Sequence, residues 1–130
     1  MDGEMLQRVT KERALQLPAT EIAYPFGPEW DVFKVGGKIF MIHTELEGEL
    51  IAVIKARPGD STALQEAFDD VTPGYHMNKK HWITLNSGGS LDQEFIEDLV
   101  TESYLLVVEK SLPREKWPVD PFTYGQDPKK

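Results

Sequence analysis

Apolar positions along the chain switch between helical and strand-like spacing, and the switches predict the elements. Asp2 to Gln16 holds good helix formers with acids early and bases late. Leu6, Val9 and Leu17 fall on one face, so a helix stopped by Pro18 is expected. A short strand is expected near Glu21 to Tyr24, before a loop with Pro25, Gly27 and Pro28. Asp31 to Val35 and Lys38 to Thr44 then flank Gly36-Gly37, a strong hairpin signal, because both glycines can take the positive φ of a tight turn. That register places Phe33 opposite Phe40 as an aromatic cross-strand pair. Glu47-Gly48 turns the chain into Leu50 to Ala56, whose nearly continuous apolar run reads as a central strand ended by Pro58 and Gly59. Asp60 or Ser61 is expected to cap a short helix through Phe68, with Ala63, Leu64, Ala67 and Phe68 inward. His81 to Asn86 alternates like a strand. Ser90-Leu91-Asp92-Gln93 reads as a capping box opening a last helix, in which Phe95, Ile96, Leu99, Val100, Leu106 and Val107 recur to about Lys110.

Helix, three-strand meander, helix, strand, helix is an α+β order. It predicts two layers, a mostly antiparallel sheet covered by helices. Residues 1–112 form this domain. Residues 113–130 form a proline-rich extension with Pro113, Pro118, Pro121 and Pro128. Trp117, Phe122 and Tyr124 make it too apolar for a plain solvated tail, so it is expected to pack on the domain or on a partner protein.

At 130 residues the chain is one domain, long enough to bury a core. With no cysteine, it has neither disulfides, a thiolate nucleophile nor a zinc–thiolate site. The N-terminal MDGEMLQRV lacks the apolar run of a secretory signal, and no apolar stretch is long enough to span a bilayer. A cytoplasmic protein without a membrane partner is expected.

The formal net charge of −8 disfavours polyanions such as nucleic acid. One segment inverts that balance: Pro73 to Trp82 reads PGYHMNKKHW, with no acid. In a functional reading, Asn78, Lys79, Lys80 and His81 meet phosphates while Tyr75 or Trp82 stacks on a base or ring, and His76 joins those two as a ligand-binding candidate. In a structural reading, Tyr75 and Trp82 fill the core edge and His76 and Asn78 pin a tight loop. Trp82 fits the structural reading better, since a strand tryptophan is usually core. Lys79 and Lys80 are either a binding surface or a solvated corner. Lys34, Lys38 and Lys55 suggest a basic stripe, but alternation puts Lys38 on the face of Phe33 and Val35, and Lys34 on that of Val32 and Ile39.

Other candidates are weaker. Asn86 to Ser90 joins a strand to a helix start, yet Asp92 and Glu94 there would repel a phosphate. Glu94, Asp98 and Glu102 form a carboxylate ladder that reads as a solvated helix face, and neither a metal site nor a cofactor is expected. Ser103 is expected to bond back to the carbonyl four residues earlier. No serine, histidine and aspartate spacing suggests catalysis, so an enzyme is not expected.

Several separated pieces resemble the MmcQ/YjbR family of small bacterial proteins. They are Leu17-Pro18; Phe33-Lys34-Val35 with Gly37-Lys38-Ile39-Phe40; Lys55; Tyr75-His76-Met77-Asn78-Lys79 with His81-Trp82; and Ser103-Tyr104. The match spans roughly Arg8 to Leu112, and the His-x-Asn-Lys-x-His-Trp core is its most specific part. The resemblance implies a two-layer fold like that of the bacterial frataxin CyaY. It also implies a proposed DNA-binding role in which hairpin wings contact the duplex, here through Lys34, Lys38 and the Asn78 to His81 loop. The alternative is a protein- or small-ligand-binding module of the same fold.

Overall fold

The structure, a computed structural model, describes residues 1–125. In chain order the elements are α1 Gly3–Gln16, β1 Thr20–Ala23, β2 Asp31–Val35, β3 Lys38–Leu46, β4 Glu49–Lys55, α2 Pro58–Ala67, β5 Val71–Pro73, β6 Trp82–Leu85 and α3 Gln93–Ser111, with a 3-10 turn at Arg114–Lys116. The strands form one six-stranded sheet in the order β1-β2-β3-β4-β6-β5, every neighbouring pair antiparallel. The fold is therefore α+β, with α1 and α3 packed on each other and on β3 and β4.

The two faces of the sheet are covered differently. Phe33, Val35, Phe40, Met41, Ala52, Ile54, Ile83 and Leu85 pack under α1 and α3 with Leu6, Val9, Ile96, Val100, Tyr104 and Val107. The opposite face buries Val32, Ile42, Ile51, Val53 and Trp82 beneath side chains from loops and strand ends, among them Trp30, Tyr75 and Met77.

The hairpin forms at Gly36 and Gly37, with φ of 58° and 80°, but its register departs from expectation. Val35 pairs with Lys38 and Lys34 with Ile39, then Phe33 pairs with Met41 rather than Phe40. Phe40 is the extra residue of a bulge, so Phe40 and Met41 both enter the helix-side core. The rings of Phe33 and Phe40 still lie 6.5 Å apart. The bulge also explains Ser103, which does not bond back along its helix. Its Oγ donates to the Phe40 carbonyl at 2.7 Å and accepts from the Lys55 N–H at 2.8 Å, joining α3 to β3 and β4.

The helix starts differ as well. Asp92, not Ser90, caps α3, accepting from the Phe95 N–H at 2.8 Å. Ser90 instead exchanges hydrogen bonds with Asp70 across the preceding loop. Helix α2 begins at Pro58 without an Asp60 or Ser61 cap, since proline suits a first helical position where no N–H is needed. Ser61 is buried and Leu64 and Phe68 half-buried, whereas Ala63 and Ala67 are exposed. The edge strand β5 leaves no alternating pattern in the sequence, and β6 starts at Trp82 rather than His81. The extension packs in part on the domain: Trp117, Val119 and Tyr124 lie against the helix-side core, and Trp117 Nε1 donates to the Leu112 carbonyl at 3.0 Å. Pro128 lies outside the described residues.

Two more polar groups are built into this core. The Tyr104 hydroxyl donates to the Pro18 carbonyl at 2.6 Å, and burial pushes its phenol up to about 12. His43 Nε2 lies 2.7 Å from Thr10 Oγ1. Thr10 Oγ1 also lies within hydrogen-bond distance of the Leu6 and Gln7 carbonyls, and with its one proton on either of them His43 is the donor to Thr10. Burial, helped by the charge of Lys11, lowers the His43 pKa from 6.5 to about 3.

Candidate functional site

The Pro73 to Trp82 segment is mostly a built loop. The Tyr75 N–H donates to Thr84 Oγ1, which donates in turn to the Pro73 carbonyl, at 2.9 and 3.0 Å. The Tyr75 ring stacks on Trp30 with 6° between planes, and His76, at φ 61°, lies 4.1 Å from Tyr75 ring to ring. Asn78 Oδ1 accepts from the Lys80 N–H at 2.8 Å, and the Lys79 ammonium donates to the Gly74 carbonyl. Gly74 is fixed by contact: a Cβ there would come within 2.6 Å of Trp82 Cβ. Tyr75, His76 and Asn78 therefore shape the loop, Lys80 is exposed, and Trp82 is buried on the sheet.

The candidate lysines do not form one strip. Lys38 pairs with the helix-side Val35, while Lys34 shares the opposite face with Val32 and Ile39 and stands opposite Glu21 of β1. Lys55 is different. It stands opposite Trp82, and its ammonium lies 5.8 Å from the Trp82 ring centroid, a cation–π contact.

Lys55 also lines a concavity between α2 and α3. On α3, Ile96, Val100, Ser103, Tyr104 and Val107 are buried in the domain. A neighbouring stripe of Phe95, Leu99, Glu102 and Leu106 faces α2 instead, at the spacing of one helix side. Short α2 does not fill the space, so Phe95, Leu99 and Leu64 are only half-buried. A pocket of about 260 Å³ remains, floored by Ile54 and Ile83, walled by Ala63, Leu64, Phe95 and Leu99, and edged by Lys55, Arg57, Asp60 and Glu102. A second pocket of about 350 Å³ adjoins it, sharing Lys55, Ala56, Arg57 and Leu106 and adding Pro58, His81, Trp82 and Lys110. The two make one groove along α2 and α3.

Its charge is uneven. The second pocket is lined by Lys55, Arg57, His81 and Lys110 and by no acid. Just outside, Glu109 pairs with Arg57 at 2.9 Å and with Lys110 at 3.2 Å. The hydrogen bond from Arg57, with Lys110 also beside it, holds the Glu109 carboxyl below its usual range. Lys55 has no carboxylate within ion-pair distance among the described residues. The motif thus contributes His81 and Trp82 to this groove. Arg57 and Lys110 carry no local motif, since they lie far apart in sequence and meet only in the fold; the apolar arc of α3, wider than one sheet contact requires, is the one sequence signal of the groove. No group of three or more histidine, aspartate or glutamate side chains able to hold a metal occurs among the described residues, the Glu94–Asp98–Glu102 ladder included.

Fold and groove together define a small α+β domain with helices on one sheet face and an open cleft between α2 and α3. The chain belongs to the YjbR family, whose pattern matches residues 15–106. It is 43% identical over 121 residues to the uncharacterised protein YbdF of Escherichia coli O157:H7, covering 93% of this chain and 99% of that protein. It is 36% identical over 83 residues to the uncharacterised protein YjbR of Escherichia coli K12, covering 64% and 70%. The crystal structure of Deinococcus radiodurans protein DR2400, a DUF419 domain, superposes with a TM-score of 0.75 at 31% identity, covering 82% of this chain and 80% of that one. A Pseudomonas syringae protein shares the fold, with a TM-score of 0.61 at 23% identity over 79% and 95% of the two chains. The family's sequence pieces meet in space: Tyr104 bonds Pro18, Ser103 bonds Phe40 and Lys55, and Lys55 covers Trp82. Among the described residues, no helix is long and apolar enough to cross a membrane.

Proposed function

We propose that this protein is a small-ligand-binding module whose site is the groove between α2, α3 and the ends of β4 and β6. One observation carries the reading: an apolar floor left open by the fold, edged by Lys55, which has no ion-pair partner among the described residues of an acidic protein. Ligand sites are typically concave and mostly apolar with a few placed polar groups. The charges here sit at the rim, an arrangement suited to holding an anionic group beside an apolar body rather than to moving protons. Lys55, Arg57, His81 and Lys110 would take the anion, and Ile54, Leu64, Phe95 and Leu99 the body.

Duplex DNA contact through Lys34, Lys38, Asn78, Lys79, Lys80 and His81 is the less supported reading. Lys34 and Lys38 point to opposite faces, Lys79 is engaged with Gly74, and of these six residues His81 alone lines the groove where Lys55, Arg57 and Lys110 converge. The test is fluorescence titration with 8-anilinonaphthalene-1-sulfonate, an aromatic sulfonate that brightens in apolar sites. Native protein should bind it saturably. Ala63→Trp, at an exposed position on the groove wall, should abolish that binding with the melting temperature unchanged. Equal binding by this variant would remove the site from the groove.

A further inference from the structure

Resting on that reading, we infer that the groove takes a short zwitterion, a peptide of two or three apolar residues with free amino and carboxyl termini. The argument comes from how the charges divide. Of the two pockets that make the groove, Asp60 and Glu102 line the α2–α3 one and not its neighbour, whereas His81, Trp82 and Lys110 line the neighbour alone. Neither acid forms an ion pair within the described residues. Lys55 and Arg57 line both pockets and so mark their junction, and Arg57 is already paired with Glu109. Beyond that junction the acids lie at one end and His81 and Lys110 at the other, with apolar side chains between.

The spacing selects the ligand's length. Glu102 and Lys110 are eight residues apart on α3, roughly 12 Å along the axis at 1.5 Å per residue. Both side chains carry their charge several bonds away from the helix axis, so this axial spacing sets only the scale of the separation. A single α-amino acid carries its two charges on one carbon and cannot meet both ends. An extended chain of two or three residues separates its termini by roughly 7–10 Å. Its apolar side chains would lie against Leu64, Phe95, Leu99 and Leu106, and pockets of about 260 and 350 Å³ suit that size. The amino terminus would lie toward Asp60 and Glu102, and the carboxylate toward Lys55, His81 and Lys110.

Displacement of 8-anilinonaphthalene-1-sulfonate from the full-length protein tests this with four competitors: trileucine, N-acetyl-trileucine, trileucine amide and leucine. Trileucine should displace the dye. Removing either terminal charge should weaken displacement about two- to fivefold, as expected for solvent-accessible charge contacts. Leucine should compete poorly. Glu102→Gln should erase the penalty of acetylation, and Lys55→Gln should reduce that of amidation. Dye binding without displacement by trileucine would overturn the peptide proposal and leave the groove as a ligand site. Equal displacement by all three tripeptides would also overturn it, since the termini would then be unread. Absence of dye binding to the native protein would instead remove the underlying reading.

Discussion

His43 makes the acid response of this fold calculable. Its ring is buried in the sheet, hydrogen-bonded to Thr10 and set edge-on against Phe33 at 4.8 Å, and its pKa falls from 6.5 to about 3. Between those values the unfolded chain binds a proton that the folded chain refuses, so stability is full above pH 6.5 and declines as pH falls toward 3. Going from about pH 7 to about pH 5, this one group should cost about 2 kcal/mol. Guanidinium denaturation of the wild type and His43→Gln at both pH values isolates the effect. Glutamine can keep a donor toward Thr10 but does not titrate, so carboxylate contributions cancel in the difference. The stability gap between the two proteins should shift by about 2 kcal/mol toward the variant at the lower pH. An unchanged gap, or a His43 ring titrating near neutrality by NMR, would refute the reasoning.

Other perturbations test other parts of the construction. Ser103→Ala leaves the Phe40 carbonyl and Lys55 N–H without their bridge and should destabilise by about 3 kcal/mol in denaturant titration. Gly36→Ala should cost about 2 kcal/mol, combining a φ of 58° with a Cβ 2.6 Å from Leu112 Cδ2. Gly37→Ala, at φ 80° in open space, should cost only the backbone strain, about 1 kcal/mol. Arg57→Ala should raise the Glu109 carboxyl toward its usual range by NMR titration, with under about 1 kcal/mol lost, because the Arg57 side chain is exposed and Lys110 stays beside Glu109.

Local rules carried the reading of the fold where one element's pattern sufficed. Gly36-Gly37 made the hairpin, the apolar repeats made α1 and α3, and the element order predicted the antiparallel α+β sheet. What stayed hidden depends on distant partners. The Phe40 bulge is bridged by Ser103 from another element, and β5 is three residues long and ends in a proline, too short to leave a pattern. Ser90 looks like a cap until Asp70 claims it, and Asp92 then does the capping. The site was legible only in pieces. His81, Trp82 and Lys55 stood out as chemistry, but the groove exists because α2 is too short to cover Phe95 and Leu99, a packing outcome with no local signature. The lysines that looked basic in a row are divided by strand alternation and loop hydrogen bonds.

The central claim is that ligand enters the groove between α2 and α3, and amide chemical-shift mapping tests it most directly. Adding 8-anilinonaphthalene-1-sulfonate to the nitrogen-labelled protein should move the amides of Lys55, Ala56, Leu64, Leu99 and Leu106 and the indole N–H of Trp82, and leave those of Phe26 and Lys38 in place. Shifts centred on the Phe26–Trp30 loop or the hairpin tip, with the groove silent, would contradict the account.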